Sequence, residues 1–188
     1  MNILIKQLSS KDQQYFPYFL DLFDRTQGRL LFLPNYFDER TKDKNSFVIG
    51  AFVDDKPVGI SVAQVINDFS YYLPFDPDIN KKLSGKIVGS FASASVDPKL
   101  QGHGIGKMMA SKRLEWLKSM NCDIILGVSW VSGNTHTSDR VFEKSGFKII
   151  ARCDDFYVQQ SYERKFICAR CGAPPCTCGA IFYQLKLT

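Results

Sequence analysis

The stretch that decides the fold is Val96-Asp97-Pro98-Lys99-Leu100-Gln101-Gly102-His103-Gly104-Ile105-Gly106-Lys107. It follows KIVGSFASASV at 86–96, which has the composition of a strand, and proline ends such a strand because it cannot donate to a ladder. The residues from 104 to 120 have apolar side chains at helical spacing. A helix N-terminus favours an anion such as a phosphate, and glycines let that anion approach the backbone. The stretch therefore predicts a strand, an anion-binding turn and a helix.

Two common nucleotide-binding patterns do not fit this turn. A P-loop ends in Gly-Lys-Ser/Thr, whereas Gly106-Lys107 is followed by Met108. The dinucleotide fingerprint needs its third glycine five residues after the first, and with Gly102 as the first that position is Lys107. The turn is thus of another type.

At these residues the chain resembles the GNAT acetyltransferase superfamily, whose members have a Gln/Arg-x-x-Gly-x-Gly/Ala turn after Val-x-Pro. A second similarity is Phe142-Glu143-Lys144-Ser145-Gly146-Phe147, which looks like the family's Tyr-Glu-Lys-x-Gly-Phe. The resemblance covers residues 45–150 well and the first 40 residues by pattern alone. It implies a single acetyltransferase domain over 1–188, with a cofactor-binding core at about 86–150.

The order of predicted elements indicates an α/β fold of the α+β kind, with a mixed sheet flanked by helices. The resemblance makes that sheet mostly antiparallel and GNAT-like. A helix is expected to begin at Asn134 or Thr135 and to end at Ser145. Aromatic residues of the first two helices are expected in the core. Those of the long segment after residue 66 (Phe69, Tyr71, Tyr72 and Phe75) could instead form a lid over an apolar or aromatic amine.

The resemblance implies an enzyme that uses acetyl-CoA as cosubstrate and moves the acetyl group by direct attack of a primary amine on the thioester. The acceptor would be a small-molecule or peptide amine. The positions that the resemblance assigns to the cofactor are Ala94, Ser95, Val96, Gln101, Gly102, His103, Gly104, Ile105, Gly106, Lys107, Asn134 and Lys144.

The residues that would move protons are less clearly indicated. Many family members use a tyrosine as the acid for the leaving thiolate, at the position of Phe142, which cannot donate a proton. Ser138 lies one helical turn earlier on the same face and could reach the thiolate, or could simply pack against the cofactor. Tyr157 is a candidate base beside Glu39, His136 and Asp155, and each of these can equally be structural.

Four cysteines are crowded into Cys168-Ala-Arg-Cys171-Gly-Ala-Pro-Pro-Cys176-Thr-Cys178. Cys-x₂-Cys is a common zinc spacing, whereas Cys-x-Cys is less usual. An intracellular chain keeps its thiols reduced, which favours a metal over disulfides. The segment is therefore predicted to be a small Cys-rich hairpin insertion at 168–178 that binds a structural Zn²⁺ through Cys168, Cys171, Cys176 and Cys178. Four reduced thiols or a redox pair are the alternative.

Composition limits the other functions. With 24 Lys+Arg against 19 Asp+Glu the net charge is only +5, and no long basic run indicates nucleic acid. The start lacks a signal peptide, and no apolar stretch could span a bilayer, so a cytoplasmic protein without a membrane partner is expected. Two alternatives remain open: an acyl-CoA-binding domain with weak catalysis, suggested by Phe142, and a zinc-containing adaptor for nucleic acid or protein.

Overall fold

The computed structural model describes residues 1–132 and 138–187, and the backbone of residues 135 and 136. Its strands are β1 (Ile3–Gln7), β2 (Gly28–Arg29), β3 (Ser46–Val53), β4 (Lys56–Ile66), β5 (Val88–Val96), β6 (Ile124–Ser132), β7 (Thr135–His136), β8 (Lys148–Cys153), β9 (Ile167–Cys168) and β10 (Gly179–Lys186). Its α-helices are α1 (Phe16–Thr26), α2 (Tyr36–Lys42), α3 (Ile79–Lys82), α4 (Ile105–Ser119), α5 (Asp139–Lys144) and α6 (Val158–Arg164). Short 3₁₀ turns lie at Ser10–Tyr15, Ser70–Tyr72 and Pro98–Leu100.

The central sheet has the order β1-β3-β4-β5-β6-β10-β8, with β7 paired to β6. Neighbouring strands run antiparallel except for β5 and β6, which are parallel. The expected mixed and mostly antiparallel sheet flanked by helices is confirmed. Among the residues described, no helix has both the length and the apolar character needed to cross a bilayer.

Successive residues of a strand point to opposite faces of the sheet. Both faces carry apolar side chains, and helices pack on each of them. Ile49 of β3 packs in the same core as Ile105 and Met109 of α4, whereas its neighbour Val48 packs with Phe19 of α1. We call the first face the α4 face and the second the α1 face. The helix aromatics expected in the core do lie there, with Phe16, Phe19 and Phe37 buried.

The long segment after β4 differs from the expected aromatic lid. Tyr72 is buried and its hydroxyl lies 3.0 Å from the Ser90 hydroxyl of β5. Phe75 packs against Phe182 on the same core. Only Tyr71 of this group is substantially exposed, at 41%. These aromatic side chains mainly cover the α1 face of the sheet, because the helices α1 and α2 leave that part of the face uncovered.

The strand β5 changes its environment halfway along its length. Val88–Phe91 pair with Ile124–Gly127 of β6, and the pairing ends there. A bulge at Ala92 accompanies the separation, since Val62 is opposite Ser93 while Ala63 is opposite Phe91. Beyond this point β5 stays paired with β4 and β6 stays paired with β10. The two central strands therefore diverge and leave a gap in the sheet.

Candidate active site and candidate metal centre

The far half of β5 has a free backbone edge that faces the gap. The Asp97 amide donates to the Val58 carbonyl at 2.8 Å, and backbone groups of an antiparallel strand alternate between its two sides. The carbonyls of Ala94 and Val96 must then point away from β4. Side-chain amides meet both of them: Gln27 Nε2 donates to Ala94 O at 3.2 Å, and Gln101 Nε2 donates to Val96 O at 3.2 Å. An extended ligand could replace these two contacts.

Small side chains line the same edge. Ala92 and Ala94 are exposed although they lie in the middle of the sheet. Ser95 is different, because its hydroxyl is buried on the α1 face, 2.8 Å from Thr26 Oγ1. Ser95 can therefore contribute to a ligand site only indirectly, by holding the strand in place.

The glycine turn holds the start of α4 open. Gly102 and Gly104 have φ values of +84° and +82°, which side-chain-bearing residues rarely adopt, and a Cβ on either would meet no atom within 4 Å. Gly104 is the N-cap of α4, and the first intrahelical bond runs from Met108 N to Gly104 O at 3.0 Å. The amides of residues 105–107 are thus left without helical acceptors. The turn offers an unobstructed anion-binding site.

The remaining residues of the turn have separate positions. The His103 ring folds back on the turn, with Nδ1 3.2 Å from Leu100 O and 3.1 Å from Gln101 O. The Ile105 side chain is buried, so only its backbone faces the opening. Lys107 on α4 and Lys144 on α5 are exposed cations. Asn134, expected to bind the cofactor, lies outside the described residues.

Helix α5 lies beside the start of α4. The position of a Cβ on Gly106 would be 3.6 Å from Val141 Cγ2, so the two helices are in contact here. The helix begins at Asp139 and not at Asn134 or Thr135 as expected. Thr135 and His136 instead form β7 and pair with Ser132 and Val131 of β6, which takes their backbone out of the helix.

Ser138 takes part in a hydrogen-bonded chain at the start of α5. Its hydroxyl donates to Ser129 Oγ of β6 at 2.9 Å, and the Ser129 hydroxyl donates to Asp139 Oδ1 at 2.6 Å. Ser129 lies two residues beyond the last β5–β6 pair and is completely buried. The chain thus connects the gap with a carboxylate on the α4 face.

Phe142 is part of the core. Its ring stacks on Tyr183 of β10, with the centroids 4.6 Å apart and an angle of 7° between the planes. It also contacts Gly127 of β6, where there is no room for a Cβ. The position for which the family resemblance predicts a proton-donating tyrosine is therefore occupied by a side chain that packs in the core and cannot supply a proton.

Tyr157 lies on the other side of the sheet. Trp130 follows Ser129 in β6 and points to the α1 face, where Trp130 and Tyr157 both pack against one cluster of buried residues around Phe166. The Tyr157 hydroxyl is 3.5 Å from that of Tyr71. Burial and the neighbouring Tyr71 raise the pKa of Tyr157 well above its ordinary value, so it keeps its proton at neutral pH. Ser138 and Tyr157, the two candidate catalytic residues of the sequence analysis, therefore lie on opposite faces of the sheet.

The four cysteines near the C-terminus converge on one point. Their sulfur atoms all lie within 4.8 Å of one another. Cys178 Sγ is 3.9 Å from Cys168 Sγ and 3.4 Å from Cys171 Sγ. A tetrahedral zinc ion with Zn–S bonds of about 2.3 Å would hold its sulfurs about 3.8 Å apart. The donor type and the spacing therefore fit a zinc ion.

The backbone around Cys168 has the shape of a metal knuckle. Cys168 and Gly172 exchange backbone hydrogen bonds of 2.9 and 3.0 Å, and the Arg170 amide donates to Cys168 Sγ at 3.3 Å. Gly172 has a φ of +82°, which explains a glycine directly after Cys171. We call residues 167–172 the knuckle. Burial raises the pKa of the Cys178 thiol to about 11, and a bound divalent cation would reverse this effect.

The cysteine cluster packs against the rest of the molecule. Cys168, Cys176 and Cys178 are buried together with Phe166, and Leu31 and Trp130 pack against them. The Cys176 amide donates to Ser161 Oγ of α6 at 2.9 Å. The insertion therefore folds back onto the α1 face of the sheet, close to the gap.

Sequence reasoning missed two residues of this region. Gln27 lies 67 positions from Ala94, and nothing near it in the sequence indicates a contact with β5. Ser129 lies in a segment that the sequence predicts to be a buried strand, and a serine among its apolar residues could have indicated a buried hydrogen bond.

Solved structures resemble the fold over the whole chain. A chain of the NatC complex bound to Gag peptide and CoA is 16% identical, with a TM-score of 0.71 and full coverage of both chains. The ribosomal-protein-S18-alanine N-acetyltransferase of Escherichia coli is 14% identical, with a TM-score of 0.64, covering all of this chain and 95% of the other. The putative streptothricin acetyltransferase of Bacillus anthracis, in complex with acetyl coenzyme A, is 18% identical, with a TM-score of 0.62 and full coverage of both.

No curated protein sequence matches the chain. The model of the acetyltransferase (GNAT) family, in contrast, matches residues 8–147, which include the glycine turn, the diverging strands and α5. Since this match spans well over half of the sequence, the chain belongs to the GNAT family of acetyltransferases.

Proposed function

We propose that this protein transfers the acetyl group of acetyl-CoA to a primary amine. The observation that carries the proposal is the free edge of β5 next to the open turn at the start of α4. Both bind through backbone groups, and together they match a ligand with a phosphate end and an extended amide chain.

The proposed cofactor lies along this path. The amides of residues 101–106 bind the pyrophosphate, and the exposed Lys107 and Lys144, together with His103, lie around it. The pantetheine amides pair with the backbone of Ala94 and Val96, and so take over the contacts that Gln27 and Gln101 make. A backbone amide near Val96 would polarise the thioester carbonyl.

The reaction needs one bond to form and one to break. The amine nitrogen bonds to the carbonyl carbon, the carbon–sulfur bond breaks, the nitrogen loses a proton and the thiolate gains one. Because the turn and α5 are on the α4 face, we place the thiolate there, within reach of Ser138. The amine then approaches from the α1 face, where Tyr157 lies. The raised pKa of Tyr157 suits a hydrogen-bond donor better than a base.

An apolar acceptor is supported by the loop between α1 and α2. Leu30 and Leu33 are 66% and 68% exposed, and Leu30 has a φ of 64°, a strained conformation for a leucine. The loop is tied down by Arg164, which donates to Leu31 O through a short hydrogen bond of 2.6 Å. Strained and exposed apolar residues often mark a binding site. We propose that the acceptor is a peptide N-terminus or small amine with an apolar group beside the nitrogen.

An acceptor screen tests the function. The protein with acetyl-CoA is offered peptides that differ only in their first two residues, and small amines with and without an apolar group, and products are identified by a mass increase of one acetyl group. Acetylation of the apolar members supports the proposal. Acetyl-CoA binding without turnover of any amine would favour the acyl-CoA-binding alternative, which the buried Phe142 motivates.

We propose further that Cys168, Cys171, Cys176 and Cys178 bind one structural Zn²⁺. Four thiolates leave no open position for chemistry, so the metal would stabilise this part of the fold. Protein prepared reduced and without chelators should contain about one zinc per chain. Cys171→Ser should lose it, whereas Cys153→Ser, outside the cluster, should keep it. Salt-sensitive nucleic-acid binding without affinity for acetyl-CoA would instead support the adaptor alternative.

A further inference from the structure

The residue after α1, Gln27, is attached to the knuckle through its backbone. The Ala169 amide donates to Gln27 O at 3.2 Å, and β2 pairs with β9 so that Gly28 is opposite Cys168. Gly28 has a φ of +142°, and a Cβ there would lie 2.5 Å from Ile167 O. Only a glycine permits this close approach, so the two segments are fitted to each other at a position one residue from Gln27.

The side chain of Gln27 is attached to the free edge of β5. Its Nε2 donates to Ala94 O at 3.2 Å and to Ser95 Oγ at 3.0 Å. One residue therefore contacts both the segment that carries two of the four thiols and the strand proposed to bind the pantetheine. No other residue in the part of the chain that the structure describes forms hydrogen bonds to both β5 and the knuckle.

We propose that Gln27 is a positioning residue through which the metal centre controls the acetyl-CoA site. The inference rests on the proposed cofactor and zinc sites. A bound metal fixes the backbone of Cys168 and Cys171, and the knuckle then fixes β2 and Gln27. Gln27 in turn holds the far half of β5 in register through Ser95 Oγ, a contact on the α1 face that remains when the cofactor displaces the bond to Ala94 O. Without the metal, the thiols no longer hold the knuckle together, and the edge of β5 loses this lateral support.

The test compares four samples, which are the native chain and Gln27→Ala, each with zinc and after zinc removal. Acetyl-CoA Kd is measured by calorimetry, and backbone hydrogen exchange is measured at residues 92–96. The control is Gln13→Ala, which removes an exposed glutamine that donates to Asp38 at 2.8 Å, away from the gap. Denaturant unfolding midpoints and zinc content are recorded for every protein.

Zinc removal should raise the Kd of the native chain about tenfold and speed exchange at residues 92–96, as expected when β5 loses the one hydrogen bond from Gln27 to Ser95. Gln27→Ala should keep its zinc and its unfolding midpoint but show the same two changes. Zinc removal from Gln27→Ala should then have little further effect, because both changes act on one connection. A merely structural role of Gln27 would lower the unfolding midpoint and leave the Kd unchanged.

Three results would overturn the inference. The first is an unchanged Kd and exchange rate when zinc is removed from the native chain. The second is an equal loss of affinity on zinc removal with and without Gln27, which would show that the effect runs elsewhere. The third is a purified chain without zinc. Failure of the proposed acetyl-CoA function looks different, because the zinc-loaded chain would then not bind acetyl-CoA while exchange at 92–96 would still respond to zinc.

Discussion

The two halves of β5 have the same secondary structure and opposite environments. Val88–Phe91 have a hydrogen-bonded strand on both sides, and Val88, Gly89, Ser90 and Phe91 are all buried. Ala92–Val96 have only β4 beside them, and Ala92 and Ala94 are exposed. The first half, which we call the closed half of β5, belongs to the core of the sheet. The second half, which we call the open half, has backbone groups left over for a ligand.

This difference arises from the side chains that surround the strand. Phe91 marks the boundary and packs against Phe142 and Phe147, which hold β6 close to β5. From Ala92 to Val96 the strand contains only alanine, serine and valine, whose small side chains cannot fill the space as β6 turns away. Substitutions in the first half should therefore change stability, and substitutions around the second half should change ligand binding or turnover.

The largest effect is expected for Gly127→Val, opposite Phe91. A Cβ here would collide with the Phe142 ring, which is held by Phe91, Phe147 and Tyr183 and cannot move aside. Overpacking should cost about 3 kcal/mol of unfolding free energy, measured by denaturant titration. Gly106→Ala is the control, because its Cβ would make an ordinary contact at 3.6 Å. Equal unfolding free energies of the two variants would mean that β5 and β6 can also move apart at Gly127.

Ser138→Ala addresses the chemistry beside the open half. If Ser138 protonates the leaving thiolate, kcat should fall by roughly 10²-fold while the acetyl-CoA Kd stays the same. Ser111→Ala is a suitable control, since this serine of α4 is exposed and its hydroxyl makes only a long contact of 3.4 Å to Glu115 Oε1. A Ser138→Ala enzyme with near-normal kcat would leave water as the proton donor.

Gly104→Asp tests the turn that the open half leads into. Its carboxylate would repel the pyrophosphate, and acetyl-CoA affinity should fall at least tenfold, which is about 1.4 kcal/mol. Gly85→Asp is closely matched, because Gly85 also has a positive φ, +73°, and no atom within 4 Å of a Cβ. Both variants should therefore suffer similar backbone strain. Equal calorimetric Kd values for the two would contradict the assignment of the turn.

The smallest effect is expected for Tyr72→Phe, because Tyr72 lies beside the closed half of β5. The Tyr72 hydroxyl is buried and lies 3.0 Å from Ser90 Oγ, so its removal should cost about 1 kcal/mol of unfolding free energy. The acetyl-CoA Kd should not change, because this contact is on the paired side of Phe91. A change in Kd without a change in stability would remove the distinction between the two halves.

Local patterns predicted the parts of this molecule that depend on local chemistry. The turn at Gly102 and Gly104 requires positive φ values, which leave a signature in the sequence, and the spacing of Cys168 and Cys171 does the same for the knuckle. The contact of Gln27 with Ala94 depends on how α1 packs on the sheet, which no neighbouring residue encodes. The predicted start of α5 at Asn134 or Thr135 is wrong for a similar reason, because Thr135 and His136 pair with β6.

The open edge of β5 also bears on how the ligand-free protein behaves in solution. An unpaired strand edge is a template on which other chains can add, and proteins usually cover such edges or interrupt them with charges. Here the edge lies inside the sheet, and the amides of Gln27 and Gln101 occupy two of its carbonyls. These two contacts leave fewer free acceptors on which a foreign strand could add to the ligand-free protein.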